Sequence, residues 1–172
     1  MSTIRRIARN RTTAADQRGF YADLVQAGST PQVSTDIDSD RPAPASVADL
    51  LGVEAGSPVL ARARHMAADG EPLQLATSYF PPAVVARLPI LAEASTGPGG
   101  MYQRMEEAGH RIHQVDIVGG RTATDAEVTA LALDEPFVLT ITRVTRDAET
   151  GAILEVGDLA LAPGRQELVF EV

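Results

Sequence analysis

The stretch 58–80 constrains the fold more than any other part of the chain. Two runs of alternating character flank Asp69-Gly70. Asp-Gly between such runs is a strong hairpin signal, because glycine accepts the positive φ of a tight turn. A three-residue loop, Asp69-Gly70-Glu71, pairs Ala68 with Pro72 and Arg64 with Ala76. One face then carries Arg62, Arg64, Met66, Gln74, Ala76 and Ser78. The other carries Ala61, Ala63, His65, Leu73, Leu75, Thr77 and Tyr79. The second face is the more apolar and is the expected core. A two-residue turn would shift the register by one and mix the two sets. Arg62 and Arg64 stand side by side on the first face and are open to two readings. They line a pocket for an anionic small molecule, since the guanidinium fork meets carboxylate or phosphate bidentately. Alternatively, they lie on the solvated face of an antiparallel sheet.

The chain has 172 residues, enough for one domain with a sound core. It contains no apolar run of about 18 residues, so no membrane span is expected, and no signal peptide opens it. Cysteine is absent. That excludes a disulfide framework and a thiolate metal site, and fits a cytoplasmic location. All 15 basic residues are arginine. Charge is uneven. Residues 1–18 carry five arginines and one acid, and the net charge of −8 means the rest is strongly acidic. Such a body is a poor nucleic-acid surface, because duplex affinity rests on many phosphate contacts. The arginine-rich start reads as a solvated arm or linker, with a phosphate backbone contact as the sharper alternative.

In chain order, Phe20 to Ala27 reads as a short helix stopped by Gly28. Residues 32–38 alternate weakly as a strand. Ser46 to Asp49 has a capping-box pattern opening a helix that Gly52 closes. Pro81-Pro82 starts a short helix to Arg87. Residues 94–100 form a glycine-rich loop before a helix from Met101 to Ala108. His113 to Val118 alternates as a strand that Gly119-Gly120 ends. A helix from Asp125 to Leu133 precedes a second hairpin, Phe137–Arg146 with Ala152–Leu161, and a last short strand from Leu168. The sum is α+β: a mostly antiparallel sheet of five to six strands with short helices on one face.

Little of this is recognisably catalytic. No phosphate-binding glycine loop, HExxH or GxSxG occurs. His110 and His113 read as surface histidines, and no metal or cofactor is expected. Glu155 and Asp158 fall on opposite faces of one strand and cannot act as an acid/base pair. Glu155, between Leu154 and Val156, either shares the pocket of Arg64 or faces solvent. The start of the helix at Phe20, with Arg18-Gly19 before it, is a candidate anion site.

Taken together, these pieces resemble the UTRA domain, the effector-binding half of the HutC-type branch of the GntR transcription regulators. The resemblance rests on Arg18-Gly19-Phe20-Tyr21-Ala22-Asp23, Leu50-Leu51-Gly52-Val53 with Gly56 to Leu60, and the Ala68 to Leu73 turn with Thr77 to Pro81. Gly100-Met101-Tyr102, Pro136 to Leu139 with Arg143, and Asp147 through Gly151 to Glu155 continue it. It spans residues 18–172, leaving residues 1–17 as arm or interdomain linker. The resemblance implies a chorismate-lyase-like fold, a small-molecule effector, a homodimer and no enzyme activity. It also implies a winged-helix DNA-binding domain, expected to be missing from this chain, through which alone DNA would be bound. Carried over residue by residue, the pocket is Arg18, Gly19, Phe20, Arg64, Met66, Ala76, Gly100, Tyr102, Glu155 and Leu161. At Met66 relatives carry a second arginine, at Ala76 a glutamate, at Gly100 a serine and at Leu161 a tyrosine. These departures favour an anionic or partly apolar effector over a phosphosugar. A chorismate-lyase-like enzyme and a ligand-free dimerisation module are the alternatives.

Overall fold

The computed structural model describes residues 4–7 and 19–170. In order they form β1 (Ile4–Ile7), α1 (Phe20–Gln26), β2 (Pro31–Pro42), α2 (Ala45–Leu51), β3 (Pro58–Ala68) and β4 (Glu71–Phe80). Next come α3 (Pro82–Arg87), a 3-10 turn (Pro89–Ala92), α4 (Gly100–Glu107), β5 (Ile112–Thr122) and α5 (Asp125–Leu131). The chain closes with β6 (Phe137–Asp147), β7 (Ile153–Leu161) and β8 (Gln166–Val169). Six strands make one antiparallel sheet in the order β2-β3-β4-β7-β6-β5. The α+β class and strand number agree with the sequence.

The β3–β4 hairpin reaches its expected register by an unexpected route. Ala68 pairs with Glu71, so the turn has two residues, Asp69 and Gly70, both at positive φ (51° and 85°). This is the backbone that matches strand twist. A bulge between Met66 and Ala67 then absorbs one residue and restores Arg64 opposite Ala76. The neighbouring edge braces the turn: Thr30 N donates to Asp69 Oδ1 (3.0 Å), and Gly70 N donates to Gln32 Oε1 (2.8 Å).

The expectation about which hairpin face is core is corrected. Arg62, Met66, Gln74, Ala76 and Ser78 are buried and Arg64 partly so. Of the expected core face, Ala61, Leu73 and Tyr79 are buried and Ala63, His65, Leu75 and Thr77 only partly so, so both faces carry core. The reason is that helices cover both faces of the sheet, not one. On the arginine face, α1 packs Phe20 and Leu24 against Met66, Ala76 and Leu159. Beside them Met101 and Met105 of α4, Leu88 between α3 and the 3-10 turn, and Leu91 of that turn pack against Leu60, Phe80 and Leu154. On the reverse face, α2 packs Val47, Ala48 and Leu51 against Ala61, Tyr79 and Val156, and α5 packs Leu131 against Val138 and Ala160. Each fully buried leucine or phenylalanine here contributes about 2 kcal/mol of transfer free energy.

Three local expectations also change. The second helix starts at Ala45 behind Pro44 with no side-chain cap, so Ser46 opens no capping box. The reciprocal box occurs at Thr124 and Glu127 of α5 instead. β5 runs straight through Gly119-Gly120, because those residues pair with Thr140 and Leu139. Within the expected arm, Ile4–Ile7 pairs in parallel with β8, and Ile4 is buried in the α1 cluster.

Candidate functional site

The arginine face of the sheet is not filled by side chains across its middle. Between α1, the segment 94–100 and the N-terminal turn of α4 lies a cavity of about 530 Å³. β3 and β4 give its floor, with Arg62, Arg64, Met66, Gln74 and Ala76; β6 and β7 add Arg143, Glu155 and Leu159; and the edge strand β2 adds Val33 and Thr35. Period-two alternation puts these side chains on one face. The walls are Gly19, Phe20 and Tyr21 from α1 and the run Ala94 to Tyr102.

A hydrogen-bonded chain crosses the polar part of the floor. Arg64 Nη2 donates to Ser78 Oγ (2.6 Å), and Ser78 Oγ donates to Glu155 Oε1 (2.7 Å). Thr145 Oγ1 donates to Glu155 Oε2 (2.6 Å), and the Tyr102 hydroxyl reaches the same oxygen at 3.2 Å. Glu155 is 1% exposed, so three hydroxyl donors hold its charge away from water. Burial first and the Glu155 carboxylate second push the Tyr102 phenol above its ordinary pKa, keeping it a proton donor at neutral pH. Gly157, opposite Ser78 and Arg143, leaves room for this carboxylate: a Cβ there would lie 3.1 Å from Glu155 Oε1.

The three arginines are held differently. Arg143 makes a fork with Asp116, Nε to Oδ1 and Nη2 to Oδ2, both 2.6 Å. Arg62 donates to backbone carbonyls of Leu91 (2.6 Å), Glu93 and Ala94 (3.2 Å), tying the 3-10 turn and the start of the glycine-rich loop to the floor. Burial, then the Arg64 guanidinium, pull the Arg62 pKa down to about 10, so its charge is poorly compensated yet present at pH 7. Among the described residues neither Arg62 nor Arg64 has a carboxylate partner, and each has a buried Nε without a hydrogen bond. Such unmatched donors cost free energy unless a ligand meets them.

Of the residues singled out from sequence, Gly19, Phe20, Arg64, Met66, Ala76, Gly100, Tyr102 and Glu155 come together around this cavity. Arg18 lies outside the described residues. Leu161 is fully buried in the α1 cluster, past the cavity's end, and Leu159, two residues earlier on the same face, lines it instead. Val33, Thr35 and Gln74 were not singled out as site residues. Arg143 and Asp116 were not paired from sequence, although they sit opposite each other on adjacent strands. Outside the cavity, His110 Nδ1 lies 2.8 Å from Asp147 Oδ2, and His113 is exposed.

Residues 27–163 match the UTRA domain model. An uncharacterized HTH-type transcriptional regulator of Streptomyces coelicolor is 31% identical over 147 residues, which is 81% of this chain and 54% of that protein. The chain spans about half the length of the curated relatives it matches. A solved GntR-family transcriptional regulator superposes with a TM-score of 0.82 at 20% identity, over 99% of this chain and 72% of the other. The effector domain of PhnF from Mycobacterium smegmatis superposes with a TM-score of 0.74 at 21% identity, over 98% of this chain and all of that domain. The chain thus belongs to the UTRA domain family.

Proposed function

We propose that this chain senses a small anionic or partly apolar effector in the cavity between β3, β4 and α4. The observation that carries this reading is the pair of guanidinium groups, Arg62 and Arg64, turned into the cavity without a carboxylate partner among the described residues. Arg64, Met66, Ala76, Gly100, Tyr102 and Glu155, with Gly19 and Phe20 at the start of α1, contact the effector. Residues 18–172 act as the sensing unit and 1–17 as the link to a winged-helix DNA-binding domain, with the strand at Ile4–Ile7 fixing that link to β8. The whole regulator works as a cytoplasmic homodimer of the HutC branch. Effector binding changes the relative placement of the two DNA-binding domains. It does so by favouring one dimer geometry over another, since only differential affinity shifts such an equilibrium.

The same reading makes the domain non-catalytic. Both oxygens of Glu155 are engaged by hydroxyl donors, which suits a fixed countercharge better than a base. No helix among the described residues is long and apolar enough to cross a membrane.

A thermal-shift screen of small acidic metabolites, chorismate included, tests this on the wild-type chain and on Arg64→Ala. A compound at about 100 times its dissociation constant stabilises by about 2.7 kcal/mol, a shift of several degrees. A saturable hit, unconsumed and lost in Arg64→Ala, supports the sensor. Conversion of the hit to product moves the assignment to a lyase, and a blank screen moves it to a dimerisation module.

A further inference from the structure

The ionised groups of the cavity specify more than its location. The charged side chains that line it are Arg62, Arg64, Arg143 and Glu155. Arg143 is matched by Asp116 through two hydrogen bonds. Glu155 answers one further positive charge, through the Ser78 hydroxyl that it shares with Arg64. Every other lining residue among those described is uncharged. Among the described residues the balance is a single unanswered positive charge, at Arg62 and Arg64.

We infer that the cavity selects a monoanion, a carboxylate on an apolar body, over a phosphate monoester. This rests on the sensor reading above and narrows it. One carboxylate brings the buried charge to zero. A phosphate monoester carries about −1.5 to −2 at pH 7 and leaves the site net negative, and uncompensated charge is disfavoured beside buried charged groups such as Arg62 and Glu155.

Hydrogen bonding points the same way. Arg64 spends one bond on Ser78, and its Nε has no partner, so an edge of the fork remains for a planar two-oxygen acceptor. Arg62 is committed to three carbonyls of the roof and contributes charge more than hydrogen bonds. Glu155, with its oxygens engaged, offers little to sugar hydroxyls. Apolar side chains line the cavity next to the arginines: Met66 two residues along β3 from Arg64, Ala76 opposite Arg64 on β4, Leu159 and Val33 on the flanking strands, and Phe20 in the wall. A ligand charged at one end and apolar along its body matches this lining.

The test uses one body with two head groups. Wild type is titrated calorimetrically at pH 7.5 with 2-naphthoate, 2-naphthyl phosphate and glucose 6-phosphate. The same probes are run on Arg64→Ala, Met66→Arg and Glu155→Gln. The expected result is that 2-naphthoate binds at least tenfold tighter than either phosphate, and that Arg64→Ala weakens it at least tenfold. Met66→Arg adds a second fork beside Arg64 and should reverse the order of the two naphthyl probes. Glu155→Gln keeps the shape and adds one positive charge, so it should narrow the carboxylate preference even if the bulkier Met66→Arg does not fold. Tighter binding of either phosphate to wild type, lost in Arg64→Ala, overturns the monoanion and leaves the sensor standing. Naphthoate binding indifferent to Arg64→Ala overturns the assigned seat. No saturable binding by any probe counts against the sensor reading and this inference together.

Discussion

Arg62 and Arg143 are each 4% exposed on the same face of one sheet, and they are held in opposite ways. Arg143 belongs to the β5–β6–β7 half. Burial opposes its charge, but Tyr102, the Asp116 carboxylate and Glu155 together outweigh burial and hold its pKa above the usual value. Arg62 belongs to the β2–β3–β4 half. It meets only carbonyl oxygens and a second guanidinium, and its pKa falls. Charges in the first half answer one another and maintain the fold. The two arginines of the second half that line the cavity are left over, and a structure keeps such groups where something from outside answers them. Arg121 and Glu127 follow the first pattern, joined by two bonds of 2.7 Å. Arg165 does too: it pairs with Glu71 at 2.9 Å and caps carbonyls of Pro72, Leu131 and Ala132.

The sharpest way to break this comparison is to remove a partner from the self-answering half. Asp116→Ala leaves Arg143 buried without its carboxylate and should cost about 3 kcal/mol, read as a lower urea midpoint at unchanged slope. Glu155 joins the two halves. Glu155→Ala leaves Ser78, Thr145 and Tyr102 without their shared acceptor and should cost about 2 kcal/mol, with Glu155→Gln recovering part of it. At the rim, Thr124→Ala removes the reciprocal cap of α5 and should cost about 1 kcal/mol by the same measurement.

A smaller effect is read in acid. The Arg121 hydrogen bonds, with the Thr124 backbone and side chain, lower the Glu127 pKa from 4.5 to about 2 against the opposing pull of burial. A depressed carboxylate stabilises fully above its unfolded value and loses that stability as pH falls. The loss should therefore lie between pH about 4.5 and 2 and amount to at most about 1 kcal/mol after solvent screening. Glu127→Gln should flatten that part of the stability curve, measured by urea unfolding at stepped pH.

Much of the fold could be read from local signals. Asp69-Gly70 marked the hairpin, and the alternation around it put Arg62, Arg64, Met66, Gln74 and Ala76 on one face despite a mistaken loop length. Turn length and bulge compensate each other, and sequence shows neither separately. Which face is buried was not legible. The arginine face is covered by α1, α4 and a loop 30 residues away, and alternation reports two faces without saying what lies over them. The partners of Arg62 escaped for the same reason, since carbonyls of residues 91, 93 and 94 have no side-chain signature. The Arg143–Asp116 pair was within reach, because both strands were assigned, but matching them needs a register that no turn between them sets. Leu161 for Leu159 is a two-residue slip that preserves the face and moves the side chain from cavity to core.

The division between the halves is tested most directly by unfolding Arg64→Ala and Arg143→Ala in urea at pH 7 without ligand. Arg143→Ala should lose about 3 kcal/mol, because it removes a buried guanidinium together with its two hydrogen bonds to Asp116. Arg64→Ala should lose less than about 1 kcal/mol, because one hydrogen bond to Ser78 goes and the repulsion from Arg62 goes with it. Equal losses would contradict the account, since Arg64 would then be holding the fold together and not waiting for an anion.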